Sequence, residues 1–141
     1  MKILKVALLF ILSMQGIQAF SQKTLTVSIP NINPAKGEVQ ISVWNVKKAF
    51  LKGKETYKTY HFKITKTSEK FVINDLPQGE YALSIFHDEN CDKKCNKNIL
   101  GMPIEGYGFS KNFKPKLSAP KFEDCSFLLD KDMSIEIKLI Y

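Results

Sequence analysis

The segment from His87 to Ser110, H-D-E-N-C-D-K-K-C-N-K-N-I-L-G-M-P-I-E-G-Y-G-F-S, holds most of the residue types in this chain that could do chemistry. Asp88, Asn90 and Asp92 place hard oxygens at alternate positions, the spacing with which loops of the form D-x-[DN]-x-[DN] surround calcium. The Lys94 carbonyl and the Asn96 side chain extend the set, so Asp88, Asn90, Asp92, Lys94 and Asn96 form a candidate calcium site within residues 88–98. Two parts of the standard loop are missing: the glycine at the sharp turn, and the terminal bidentate glutamate, whose place Ile99 takes. Glu105 is the remote carboxylate that could replace it. The alternative is a run of Asx turns, in which the same side chains hydrogen-bond their own backbone. Three lysines in the stretch also oppose a cation.

The cysteines point to a staple rather than to catalysis. His87, Cys91 and Cys95 match neither the spacing nor the ligand count of a structural zinc site, and exported cysteines are more often oxidised than metal-bound. A Cys91–Cys95 disulfide is expected; its small ring limits its contribution to roughly 2 kcal/mol, so it stiffens the loop more than it stabilises the fold. Cys125 sits among Phe122, Phe127 and Leu128 and is expected as a buried free thiol, with Cys95–Cys125 the competing pairing. A hydrolase would need His87 as base, Ser110 as nucleophile and Asp88 or Asp124 as orienter. Ser110 has no G-x-S-x-G elbow around it. The expectation is therefore a protein without enzymatic activity, with His87 ending a strand and its ring bonded to loop backbone. Gly106 and Gly108 lack the following helix of a phosphate loop and are read as allowing a tight path. His87, Glu105, Tyr107 and Phe109 are expected as contact residues for a protein or glycan of the cell envelope.

Composition narrows the classes further. At 141 residues the chain has room for one domain. Met1 to Lys5 is basic, Val6 to Met14 is apolar but too short to span a bilayer, and Ala19 and Ser21 stand where a signal peptidase reads small residues. Residues 1–21 are expected as a secretory signal peptide cleaved before Gln22, leaving a single domain over 22–141 in the periplasm or outside the cell. No cysteine near the cleavage region offers a lipoprotein anchor, and no second apolar stretch is long enough to cross a membrane. The net charge of +7 falls to +5 without Lys2 and Lys5, and all the basic residues are lysines. Arginine, whose planar fork reads phosphates and guanine edges, is absent, so nucleic acid is not an expected partner. Loose adhesion to anionic polymers or lipid headgroups is compatible with such a surface.

The elements that must position these residues read as strands. Leu25, Val27 and Ile29 alternate with polar neighbours, as do Val39, Ile41 and Val43 against Gln40, Ser42 and Trp44. The pattern predicts strands over 24–29, 38–46, 57–65, 69–74, 80–87 and 132–140, with another element from Phe122 to Leu129. Pro34 and Gly37 mark one turn; Pro77 and Gly79 mark a second, with Gly79 free to take a positive φ. Ala49, Phe50 and Leu51 fit a helical turn or a bulged strand end. Six or seven short strands with one-faced alternation predict an all-β sandwich of two antiparallel sheets.

Three runs carry a family likeness: L-P-x-G-x-Y-A-L-S-I-F-H-D-E-N from Leu76 to Asn90, L-G-M-P-I-E-G-Y-G-F-S from Leu100 to Ser110, and P-x-F-E-D-x-S-F from Pro120 to Phe127. Together they resemble a family of secreted bacterial proteins catalogued as domain of unknown function 2141, over nearly all of the chain beyond the signal peptide. The resemblance implies an exported immunoglobulin- or prealbumin-like sandwich of about seven strands with no established activity. It also implies a loop of the form D-x-N-x-N/D-G-x-x-D-x-N after H-D-E-N. Here Cys91 and Cys95 replace other residues, and Lys93 stands where glycine is common.

Overall fold

A computed structural model describes residues 21–52 and 55–141; the expected signal peptide lies almost wholly outside the described residues. Eight strands occur among them: β1 Gln22–Ile29, β2 Glu38–Trp44, β3 Lys58–Lys63, β4 Glu69–Pro77, β5 Gly79–Asp88, β6 Tyr107–Phe109, β7 Phe127–Leu129 and β8 Met133–Glu136. They form a three-stranded sheet in the order β4-β1-β8 and a five-stranded sheet in the order β3-β2-β5-β6, with β7 also paired to β5. The fold is all-β with almost no helix, as the alternation predicts.

One apolar layer joins the sheets. Leu25, Val27 and Ile29 from β1 and Phe71 and Ile73 from β4 meet Val39, Ile41 and Val43 from β2 and Leu83 and Ile85 from β5, all 5% exposed or less. Such alternating side chains each contribute about 1.5–3 kcal/mol when fully buried, which fixes which face of each strand turns inward. The antiparallel expectation needs one correction, because β1 and β8 run parallel, Leu25 opposite Met133 through Ser28 opposite Glu136. Alternation reports which face is buried and carries no information on strand direction.

Both flanks of the two-sheet arrangement are tied across. On one, residues 133–140 leave β1 and pass to the edge of the other sheet, where Ile140 and Tyr107 exchange N–H···O bonds of 2.7 and 2.9 Å. Along this crossing two asparagines take the place of strand neighbours. Asn31 accepts from the Leu139 N–H and donates to the Leu139 carbonyl, both at 2.8 Å. Asn112 likewise accepts from the Lys138 N–H at 2.7 Å and donates to the Glu136 carbonyl at 3.0 Å. On the other flank Asp75 of β4 receives Lys58 Nζ at 2.6 Å and Tyr60 Oη at 2.5 Å, both from β3. The Lys58 and Tyr60 bonds hold the Asp75 carboxyl below its usual range. Tyr60 is pushed up in turn, first by burial and then by its bond to that carboxylate.

A second apolar cluster covers the outer face of the five-stranded sheet. Trp44, which the alternation places on an exposed face, is 4% exposed there with Phe50, Ala82, Phe109, Phe122 and Cys125. Its indole N–H donates to Ser84 Oγ at 2.9 Å, so the ring is buried without an orphan donor. The cover comes from a 3₁₀ turn at Lys47–Ala49 and a single helical turn, α1, at Phe122–Cys125. The expected element over 122–129 is thus divided into α1 and β7. Phe122 and Cys125 lie three residues apart, a helical spacing that points both into the cluster, and the Asp124 carboxylate accepts from the Lys121 N–H at 2.8 Å to start the turn. Gly79 does not take a positive φ; among the described glycines Gly37 and Gly101 do. A methyl at Gly79 would instead press 3.2 Å from the Tyr81 ring.

Candidate functional site

His87 and Asp88 end β5, and Tyr107 begins β6, so two adjacent antiparallel strands hold the ends of the connection between them. His87 is fully buried. Its Nε2 lies 2.7 Å from the Lys36 carbonyl, which only accepts, so this nitrogen carries the proton. Nδ1 lies 3.2 Å from the Tyr141 hydroxyl, and Tyr141 Oη accepts from the Asn33 N–H at 2.7 Å. The ring is bonded to loop backbone, as expected of a strand-end histidine. Ser110 lies elsewhere: its hydroxyl donates to the Cys125 carbonyl at 2.6 Å and accepts from the Leu83 N–H at 2.9 Å. His87 and Ser110 therefore form no base–nucleophile pair.

The loop hangs on two carboxylates. Asp88, 1% exposed, accepts the N–H groups of Asp92 at 3.1 Å and Lys93 at 2.7 Å. Glu105, 6% exposed, accepts those of Glu89 at 3.2 Å and Asn96 at 3.0 Å. Gly37 makes room for this frame: at φ +76° it faces the Asp88 carbonyl and Glu89 Cα, where any Cβ would collide. Gly106 does the same for the Tyr141 ring, with a Cβ there only 2.7 Å from Cζ. Tyr141 and Lys36 act here through a hydroxyl and a backbone carbonyl, roles that leave no pattern in residue types.

The proposed calcium ligands are arranged as Asx turns. Asn90 Oδ1 accepts from the Asp92 N–H at 3.1 Å and Asp92 Oδ1 from the Lys94 N–H at 2.8 Å. The Nδ2 groups of Asn90 and Asn96 donate to Asp92 Oδ2 at 3.1 and 3.0 Å. Those amide bonds, the Asn96 one first, lower the Asp92 carboxyl. Among the described residues no three His, Cys, Asp or Glu side chains gather where a metal ion could be held.

The cysteines call for a correction, since all three are free thiols in the structure. Cys91 is exposed at φ +59° while Cys95 is half-buried, so the expected ring is not closed. Cys125 is the buried free thiol expected, and burial pushes its thiol up to about 11. Of the four expected contact residues, His87, Glu105 and Phe109 are buried and Tyr107 alone is partly exposed. Phe109 is buried in the outer cluster, and half-buried Tyr107 lines a cleft of about 450 Å³ with Phe113, Pro115, Leu139, Lys114 and Lys138.

Residues 27–137 match domain of unknown function 2141, described as an uncharacterized protein conserved in bacteria. The chain belongs to this family. No curated protein and no solved structure matches it. Lys93 sits at φ +61°, a left-handed conformation that glycine adopts without strain and that costs other residues about 1–2 kcal/mol. Beyond that frame the loop exposes apolar side chains as well as lysines. Ile99 and Leu100 are 103% and 82% exposed, with Met102 and Ile104 also exposed on the same loop.

Proposed function

We propose that this chain is an exported, non-enzymatic binding or accessory module of the bacterial cell envelope, with the 89–106 loop as its working face. One observation carries the reading: the loop is long and exposed, yet two buried carboxylates at its ends hold its backbone through four N–H groups. A frame of that kind presents side chains in fixed positions, which is how scaffolded loops bind partners. The basic and apolar leader at Met1–Ser21 supports export. The non-enzymatic reading rests on the occupied ring nitrogens of His87 and on Ser110, which bonds only backbone. We assign the sandwich to the immunoglobulin/prealbumin-like type. Tyr81, near the start of β5, donates its hydroxyl to the carbonyl of Pro77 four residues upstream at 2.9 Å, the bond of a tyrosine corner.

The test is sedimentation of the chain beginning at Gln22, which contains all eight strands, with isolated bacterial envelopes. Wild type is expected in the pellet. A variant with serine at Lys94, Lys97, Leu100, Met102 and Ile104 is expected in the supernatant with an unchanged melting temperature. Equal retention of the two proteins would move the working face away from this loop.

A further inference from the structure

The exposed apolar residues of the loop occupy a built turn. Lys97 and Pro103 bridge as in a hairpin, the Asn98 N–H donates to the Met102 carbonyl at 2.8 Å, and the Gly101 N–H donates to the Asn98 carbonyl at 2.9 Å. The Asn98 side-chain oxygen accepts the N–H groups of Leu100 at 2.9 Å and Met102 at 3.0 Å. The Ile104 N–H donates to the Asn96 carbonyl at 2.9 Å, one residue from the buried Glu105 anchor. Five backbone donors are thus satisfied inside the turn, while Ile99 and Leu100 stand almost free of protein neighbours and Met102 and Ile104 are more than half exposed. Between Lys93 and Ile104 every charge is positive, Lys93, Lys94 and Lys97, and all three lysines are exposed.

We propose that the Asn98–Ile104 turn docks the protein onto a lipid bilayer bearing anionic headgroups. Its apolar side chains enter the headgroup–acyl boundary, and Lys93, Lys94 and Lys97 lie against the lipid charge. This rests on the reading of the loop as a binding face and names what it binds. Three features select a membrane over a protein partner. A backbone with five of its six N–H donors already bonded, all but that of Ile99, enters a low-dielectric layer with few stranded polar groups. The four exposed side chains offer roughly 400 Å² of apolar surface, about half of what each partner buries in a stable protein interface. The exposed charge beside the turn is net positive, Lys93, Lys94 and Lys97 against Asp92, which fits an anionic plane.

Cosedimentation of the chain beginning at Gln22 with protein-free vesicles tests this. Vesicles of equal parts phosphatidylglycerol and phosphatidylcholine are expected to bind it at least tenfold more tightly than pure phosphatidylcholine. Replacing Lys93, Lys94 and Lys97 with Gln should weaken that binding about 100-fold, at about fivefold per lysine. Ile99→Ser with Leu100→Ser should weaken it at least as much, with an unchanged melting temperature because both residues are exposed. In Leu100→Trp the new indole should be quenched by brominated lipid, while buried Trp44 should not. Failure of wild type to bind anionic vesicles, or equal binding by the Ile99/Leu100 variant, overturns the proposal. Retention on native envelopes but not on protein-free vesicles also overturns it and leaves the binding module intact with a protein or glycan partner. A wild-type dimer that dissociates in the Ile99/Leu100 variant would assign the turn to a second copy of this chain instead.

Discussion

Asp88→Asn tests whether a single buried carboxylate holds the loop. The two oxygens of Asp88 accept from Asp92 and Lys93 at 3.1 and 2.7 Å, and the side chain is sealed from solvent. An amide keeps the volume but has one acceptor oxygen, and its NH₂ then faces an N–H group. Hydrogen bonds to a charged acceptor contribute about 1.5–3 kcal/mol each. Losing one and neutralising the other costs about 2–4 kcal/mol by the same scale. Asp92 and Lys93 are exposed, so water recovers part of this, and about 2 kcal/mol is the expected cost. At tenfold per 1.4 kcal/mol, the loop should open about 30-fold more often. Native-state hydrogen exchange reads this residue by residue. The amides of Asp92 and Lys93 should lose about 30-fold in protection, and those bound to Glu105 should follow, while core amides of β1 and β5 keep theirs. Asp130→Asn, at an exposed position away from the loop, should move stability by less than about 0.5 kcal/mol. A change below about threefold at Lys93 would refute the anchor role and the rigid-frame argument with it.

Asp75 predicts a pH dependence. Its folded pKa is lowered by Lys58 and Tyr60, so its stabilising contribution is complete above the ordinary carboxylate range and disappears as the pH falls through the folded value. Asp75→Asn should therefore be less stable than wild type in denaturant at pH 6, and the gap should close by about pH 2–3; a gap independent of pH would rule out the carboxylate. Iodoacetamide at pH 8 should label exposed Cys91 quickly and leave Cys125 unlabelled until the protein unfolds, because Cys125 is fully buried and its thiol is pushed up to about 11. Fast native labelling of Cys125 would mean that the outer cluster opens. Since N–H donors already occupy the oxygens of Asp88, Asn90 and Asp92, melting midpoints in millimolar calcium and in EDTA should agree within about 1 °C. A rise of several degrees would reveal a cation site.

The inner sheet faces were legible because burial leaves a period of two. The strand predicted over 80–87 lies within β5 at 79–88, and that over 24–29 lies within β1 at 22–29. Period-two reasoning failed where a strand is buried on both faces. Trp44 and Ala82 look solvent-facing in their own strands, and only Phe50, Phe109 and Phe122, large aromatics outside the alternation, hint at what covers them. The long connection after His87 was identifiable as the candidate site, but the roles within it were not. Asp88 and Asp92 show the same residue type and spacing whether their oxygens face a cation or their own backbone; only the path of the chain distinguishes the two. The Ile99–Ile104 turn was overlooked because four apolar residues in a loop look the same whether they fold inward or face out.

The crossing of residues 133–140 between the sheets also bears on how the chain reaches its folded state. Thr24 bonds the Asp132 carboxylate, Asn31 bonds Leu139 and Asn33 bonds Tyr141, each pair 108 residues apart. Contacts of such separation return nothing until nearly the whole chain has been gathered, and topologies built on them fold in milliseconds to seconds rather than microseconds. While the chain is being made, β1 has its β4 partner within reach but must wait for β8. In that interval its second edge is a row of unpaired N–H and C=O groups beside Leu25, Val27 and Ile29. Two such chains meeting edge to edge could complete each other's sheet, so the hazard built into this topology is pairing with the wrong copy rather than slowness alone.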